Sequence, residues 1–196
     1  MKMLGVILAG GQATRMGGGD KGLLRLGGVS LLERVIARLA PQVEGMALNA
    51  NGDAARFSEF GLPVLCDPIS GHPGPLAGVL AGLEWAAGEG ASHVLSAAAD
   101  TPFVPQNLGE RLRAAGAPDA PVLAATEEGG KIWRQPTFGL WPVALRDDLR
   151  GALEGGLRRV VQWTDAHDGR EVTFADARAF FNINTPEDLA AAEAML

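Results

Sequence analysis

Residues 8–21 read LAGGQATRMGGGDK, and this stretch limits the fold more than any other part of the chain. It follows a short apolar run with a β-branched centre, Leu4-Gly5-Val6-Ile7-Leu8, the pattern of a buried parallel strand. Glycines at 10, 11, 17, 18 and 19 then leave the backbone without Cβ atoms, so it can bend sharply and come close to a ligand. Arg15 and Lys21 add two cations. A strand running into such a loop offers free N–H groups and positive charge, which together suit a phosphate chain. The spacing is not that of a P-loop, since no Gly-Lys-Ser/Thr follows Gly11, nor is it G-x-G-x-x-G. A plain glycine turn accounts for the bends but not for the cations.

The remainder alternates strand and helix signals. Leu23 to Leu26 reads as a short extended piece, closed by a Gly27-Gly28 turn. Ser30 and Glu33 form an S-x-x-E capping box, opening a helix with Leu31, Leu32, Val35, Ile36 and Leu39 on one face. Met46-Ala47-Leu48 is a second strand ending at Asn49, a short helix is expected over 54–60, and Leu62 to Cys66 is a third strand ending at Asp67. Pro75 opens a helix carrying Leu76, Val79, Leu80 and Leu83. His93 to Ala98 is a fourth strand with Asp100 just beyond it, and 105–115 is helical. Further on, strands are expected over 122–126 and 136–141, joined by a polar connection at 127–131, with a helix over 142–153. Short strands follow over 172–174 and 180–183, and Thr185 and Pro186 start a terminal helix. This alternation describes one α/β domain with a largely parallel sheet.

One consequence is geometric. Gly10, Asn49, Asp67 and Asp100 each fall at or just past the carboxyl end of a different strand. In an open parallel sheet those ends share one edge, and ligands bind in the crevice there. Asp100, in Ala-Asp-Thr-Pro, reads either as a turn aspartate or as a Mg²⁺ ligand, a metal satisfied by one or two carboxylates plus phosphate oxygens.

Composition narrows the classes. A chain of 196 residues with 47% apolar content can bury one substantial core. A formal charge of −6 without a basic run argues against nucleic acid as partner, though not against a small polyanion held by local cations. The single cysteine allows no intrachain disulfide, and Cys66 is expected to serve packing. The N-terminal apolar run is too short for a signal peptide and no stretch suffices to span a membrane, so a cytoplasmic protein is expected. His72, His93 and His167 are scattered and receive no catalytic role.

The ordered set LAGGQATRMGGGDKG (8–22), LNAN (48–51), CDP (66–68), PGPLAG (73–78), ADTPFVP (99–105), RQPTFGLW (134–141) and NINTPEDL (182–189) resembles the nucleotidyltransferases, and among them the molybdenum cofactor guanylyltransferases. The likeness covers nearly the whole chain. It implies a single-domain Rossmann-like nucleotidyltransferase fold, α/β, with a mostly parallel central sheet flanked by helices. Residues 1–115 would form a nucleotide-binding half and 116–196 an acceptor-binding half. The implied reaction moves GMP from GTP to molybdenum-molybdopterin, giving the guanine dinucleotide cofactor and pyrophosphate, with Mg²⁺ as cofactor. Implied partners, besides the two substrates, are cofactor-insertion and accessory proteins and the target molybdoenzymes, and the chain is expected to act as a monomer.

By the same resemblance the nucleotide contacts are Leu8, Ala9, Gly10, Gly11, Lys21, Asn49, Asp67 and Asp100, and Asp100 is also the metal ligand. Lys21 and Arg15 would offset charge on the phosphate under attack. Asp67 is a carboxylate able to accept from guanine N1–H and the 2-amino group, and contact with base, ribose or metal remains open. Arg134, Arg158 and Arg159 are candidate contacts to a phosphorylated pterin, and Asn182 and Asn184 to the pterin or the metal. An acceptor phosphate is already anionic near neutral pH, so positioning and charge neutralisation would carry the rate without a strong base. The alternatives are a cytidylyltransferase for the same cofactor, whose loop has LAAG in place of Leu8-Ala9-Gly10-Gly11, a sugar-phosphate nucleotidyltransferase, and a non-catalytic GTP-binding module.

Overall fold

The computed structural model describes residues 1–10, 20–71, 74–116 and 118–196. Gly11, Arg15 and the glycines at 17, 18 and 19 lie outside the described residues, as does His72. The strands are β1 (Met3–Leu8), a small hairpin of β2 (Arg25–Leu26) and β3 (Val29–Ser30), β4 (Met46–Asn49), β5 (Val64–Leu65), β6 (His93–Ala98), β7 (Val122–Glu128), β8 (Lys131–Pro142) and β9 (Arg170–Phe174). The helices are α1 (Leu31–Leu39), α2 (Pro75–Gly88), α3 (Leu108–Ala115), α4 (Arg146–Glu154), α5 (Val160–Ala166) and α6 (Pro186–Glu193). The main sheet has the order β5-β4-β1-β6-β8-β7-β9, and only β8 runs against its neighbours. The chain builds outward from β1 through β4 to β5, then returns to place β6 on the other side of β1. The winding therefore reverses between β1 and β6, the place where open sheets bind ligands.

Alternation along the strands supplies both faces. In β1, Leu4 and Val6 pack with Leu76, Val79, Leu80 and Leu83 of α2, in a cluster that also holds Trp141 of β8, Leu149 of α4 and Trp163 of α5. Met3 and Ile7 turn to the opposite face, with Val35 of α1, Leu112 of α3 and Phe57. A third cluster joins Leu26 and Leu31 to Ile183 and Ala192, docking α6 on the small hairpin. The Ser30–Glu33 capping box forms in full, as does one between Thr185 and Asp188, and Pro75 and Pro186 take first-turn positions.

Four local expectations are corrected. Only Val64–Leu65 of the expected 62–66 strand joins the ladder, and Cys66 is exposed instead of packed. No strand forms over the expected 180–183: Phe180 ends a 3-10 turn, Ala177–Phe180, capped by the Asp176 carboxylate accepting from Arg178 N, and 181–183 follow without regular structure. Phe180 thereby enters the core edge-on to Phe138 and Phe174, at 5.1 and 5.3 Å. The connection expected over 127–131 shrinks to a Gly129-Gly130 turn with both φ angles positive, which lets β7 and β8 continue as a ribbon. α5 adds an element that the sequence pattern does not announce: its β-branched start is a weak helix signal, but burial of Val160, Trp163 and Thr164 at helical spacing holds it.

His93 opens β6 at 7% exposure, and burial holds its imidazole below the ordinary histidine value, opposed by the Pro118 carbonyl and Asp119. The unfolded chain therefore takes up a proton that the folded chain resists, so this contribution is complete above about pH 6.5 and fades as pH falls below it. The melting temperature of the wild type should drop more steeply from pH 7 to pH 5 than that of His93→Gln. Parallel curves would show that His93 does not set this dependence.

Candidate functional site

The ladder register lines up four strand ends: Leu65 of β5 opposite Asn49 of β4, Asn49 opposite Leu8 of β1, and Leu8 opposite Ala98 of β6. Beyond that row the backbone turns away at Gly10, Asp67 and Asp100. The ends of β1, β4 and β6 and these three turn residues meet in one cleft of about 360 Å³, lined by Leu8, Ala9, Gly10, Lys21, Asn49, Asp67 and Asp100. The four strand-end positions expected to converge do so. Asn51, Gly74, Thr137 and Asn182 also line the cleft.

One wall is an amide–carboxylate brace. Asn49, 5% exposed, donates from Nδ2 to the Leu65 carbonyl at 3.2 Å and to Asp67 Oδ1 at 2.9 Å. Asn51 donates to Asp67 Oδ2 at 2.7 Å and accepts from the Asp67 backbone N–H at 2.9 Å. Both carboxylate oxygens are thus fixed, with lone pairs left over. The Ala9 N–H is taken by the Asn49 carbonyl at 2.8 Å, joining β1 to this wall. Above it lies α2, whose N-terminal residues Gly74 and Pro75 reach the cleft, so the positive end of the helix dipole adds to the anion-attracting field.

The other wall carries the cation. Lys21 Nζ donates to Asn184 Oδ1 and lies 3.6 Å from Asp100 Oδ2. The Asp100 side chain is 21% exposed. Thr101 Oγ1 donates to Asn182 Oδ1, and Ile183 N donates to the Asp100 carbonyl at 2.9 Å, so the 182–184 segment is pinned against the end of β6. Asp188 accepts from the N–H groups of Asn184 and Thr185, each at 2.9 Å. The Asn184 N–H, chiefly, holds the Asp188 carboxyl below its ordinary value.

The five residues named as acceptor contacts divide. Asn182 lines the cleft, while Asn184 orients Lys21. Arg134 pairs with Asp165 at 2.9 Å and with Glu171, and the two carboxylates raise its pKa against the lowering effect of burial. Arg158 donates to the Leu153 and Leu157 carbonyls, closing the end of α4, and Arg159 is exposed just before α5. Sequence reasoning passed over Asn51, Gly74 and Thr137. Asn51 and Thr137 sit inside the LNAN and RQPTFGLW motifs, but nothing in spacing says which of their side chains faces a ligand.

For a divalent cation, the cleft-lining residues offer the Asp100 carboxylate and the Asn182 amide oxygen, the latter also accepting from Thr101 Oγ1. No cluster of three His, Cys, Asp or Glu occurs among the described residues. That set fits Mg²⁺, which takes few protein oxygens and completes its shell with phosphate and water.

Residues 5–170 match the MobA-like NTP transferase domain. The chain is 50% identical to a molybdenum cofactor guanylyltransferase of Mesorhizobium japonicum, over 98% of this chain and 95% of that one. It is 50% identical to one of Cereibacter sphaeroides, over 100% and 98% respectively. In fold it is similar to the crystal structure of molybdopterin-guanine dinucleotide biosynthesis protein A from Archaeoglobus fulgidus, with TM-score 0.75, 24% identity and 98% of both chains covered.

Gly78 of α2 sits directly above the Asn49 side chain. A Cβ at 78 would lie 2.2 Å from Asn49 Oδ1 and 2.7 Å from Leu8 Cδ2. Gly78→Ala should therefore destabilise: overpacking of ~1–3 kcal/mol outweighs the helix-propensity gain of about 1 kcal/mol. Urea unfolding should show a lower midpoint with an unchanged slope. A higher midpoint would mean that α2 lifts away at little cost.

Proposed function

The chain belongs to the molybdenum cofactor guanylyltransferases of the MobA-like NTP transferase family, and on that premise we propose that it transfers GMP from GTP to molybdenum-loaded molybdopterin. It is an enzyme, a nucleotidyltransferase. The observation that carries the specific reading is the convergence of Lys21, Asp67 and Asp100 on one cleft at the switch between β1 and β6.

In the proposed reaction an oxygen of the acceptor phosphate attacks the α-phosphorus of GTP in line. The new phosphoanhydride bond forms as the bond to the β-phosphate oxygen breaks, and pyrophosphate leaves with the electron pair. The attacking oxygen is already anionic, so the chain has no strong base to supply. What the protein contributes is to hold the two phosphates in line and to neutralise charge. Lys21 is assigned the phosphate oxygens near the reacting centre, and Asn184 aims its ammonium from behind. Arg15 is assigned a supporting role from its place in the loop. Asp100, with Asn182 beside it, is assigned to Mg²⁺, which when bound supplies charge neutralisation at the phosphate oxygens. The first turn of α2 faces the same anionic region.

Asp67 is assigned to guanine. With one lone pair on each oxygen taken by an asparagine, an ionised carboxylate keeps capacity for both guanine donors. Adenine and cytosine do not present that pair. A site built this way discriminates strongly, because the wrong base leaves buried polar groups unpaired.

Two measurements test the reading. Pyrophosphate release in the presence of molybdenum-loaded molybdopterin should be clearly faster with GTP than with CTP or ATP; equal turnover of CTP would replace the guanylyl assignment with a broader one. Asp100→Asn keeps the shape and turn chemistry of aspartate but removes the charge. It should melt close to wild type yet lose transfer by about 10²-fold or more, with partial recovery at high Mg²⁺. Normal transfer by the folded variant would return Asp100 to a turn residue.

A further inference from the structure

Arg56 does not line the cleft, yet its guanidinium touches both walls. It lies in the 3-10 turn Ala54–Phe60, which starts just after the Asn51-Gly52-Asp53 bend. Nη2 donates to the Asn51 carbonyl at 2.6 Å, and Nη1 donates to the Asp53 carbonyl. Nε lies 2.6 Å from Asp20 Oδ2, out of line for a hydrogen bond among the described residues, so that contact is an ion pair. Asn51 is the residue that grips Asp67 from both sides. Asp20 is the residue before Lys21 and opens the 3-10 turn Lys21–Leu23. Segments thirty-odd positions apart in sequence, one ending at the cation and one at the carboxylate brace, therefore meet on a single planar group. The Arg56 and Asp20 side chains are 26% and 19% exposed, partly shielded from the solvent that weakens surface pairs.

We propose that Arg56 is a positioning residue for nucleotide binding, which sets the spacing between the Lys21 wall and the Asp67 wall. The proposal rests on the reading of this cleft as the GTP site. A rigid fork suits this role because it donates to two carbonyls in fixed directions while its charge faces the Asp20 carboxylate, a combination a flexible ammonium cannot reproduce. Without it, a nucleotide that spans both walls has to bring them to the right separation itself, and its apparent affinity falls.

Steady-state kinetics in GTP should be compared for wild type, Arg56→Ala, Arg56→Lys, Asp20→Asn and the Asp20→Asn/Arg56→Ala double variant. Arg56→Ala should raise KM for GTP about tenfold, the scale of one charge-assisted contact, with a smaller fall in kcat. Arg56→Lys should fall between Ala and wild type with a near-normal melting temperature, which separates positioning from folding. The double variant should be no worse than Arg56→Ala, because both changes cut one tether. In the absence of nucleotide, amide exchange at residues 21–24 should quicken in Arg56→Ala. Unchanged KM in Arg56→Ala, or additive effects in the double variant, would overturn the proposal while wild-type turnover of GTP stands. Unchanged amide exchange would overturn it whichever nucleotide the wild type uses. Failure of the wild type to turn over GTP with amide exchange still quickened would instead sink the GTP reading and leave the tether.

Discussion

The site depends on how closely α2 approaches the end of β4. Asn49 is buried there, and a buried amide costs roughly 1–3 kcal/mol unless its hydrogen bonds are met. Its two N–H groups go to the Leu65 carbonyl and to Asp67, so the amide is tied to both the β5 strand end and the turn after it. The space for its oxygen exists because residue 78 of the helix is glycine. That contact sets the height of α2 over the sheet and so brings Gly74 and Pro75 to the cleft. The strand ends, the carboxylate brace and the positive end of the helix take their relative positions from this one approach.

The charge arrangement around Lys21 is similarly sparing. A formal charge of −6 does not prevent a polyanion from binding, because the field that matters is local. Among the described residues Lys21 is partnered by one carboxylate at 3.6 Å and one neutral amide oxygen. Two carboxylates would hold the ammonium more firmly and leave it less ready to turn to phosphate. An amide orients it at little electrostatic cost. Asn184 is itself held by the Asp188 carboxylate, whose charge is committed to backbone N–H groups at the start of α6. The capping box that starts this helix thus also fixes the residue that aims the lysine.

What could be read in the sequence was whatever is local. β1, β4 and β6 announce themselves as apolar runs that end in glycine or a polar residue, and α1, α2 and α6 by their caps and first-turn prolines. Those ends, with the apolar run before Asp67, were enough to place Gly10, Asn49, Asp67 and Asp100 on one edge. The overlooked Gly129-Gly130 hairpin turn was a local signal, but most of the other misses are tertiary. α5 is a helix because Trp163 is buried, not because its residues favour one, and the turn at 177–180 exists because Phe180 finds Phe138 and Phe174. Cys66 follows a strand that stops one residue earlier than its apolar run suggests. Arg134 and Arg158 looked alike as cations, but one is engaged by Asp165 and Glu171 and the other by carbonyls at the end of α4. Arg56 stands in no motif. Its role comes from chain segments that sequence spacing does not connect.

The second half of the chain reaches the cleft at few points, and both Thr137 and the 182–184 segment are referenced to β6. In β8, Pro136, Thr137 and Phe138 are extra residues, since Leu123 pairs with Gly139 and Ala124 already pairs with Gln135. The bulge sends Phe138 into the core and Thr137 to the cleft. Ser96 of β6 donates to the Thr137 carbonyl at 2.8 Å, and its hydroxyl is held in turn by Trp141 Nε1 at 2.8 Å. Ile183 is bonded to the Asp100 carbonyl, just past the same strand. A transfer between two bound phosphates can slow by about 10²-fold if the attacking and receiving groups shift by about 1 Å relative to each other. Hanging Asp100 and the residues of the second half on one buried central strand removes that source of error, because β6 can move only if the whole sheet moves with it.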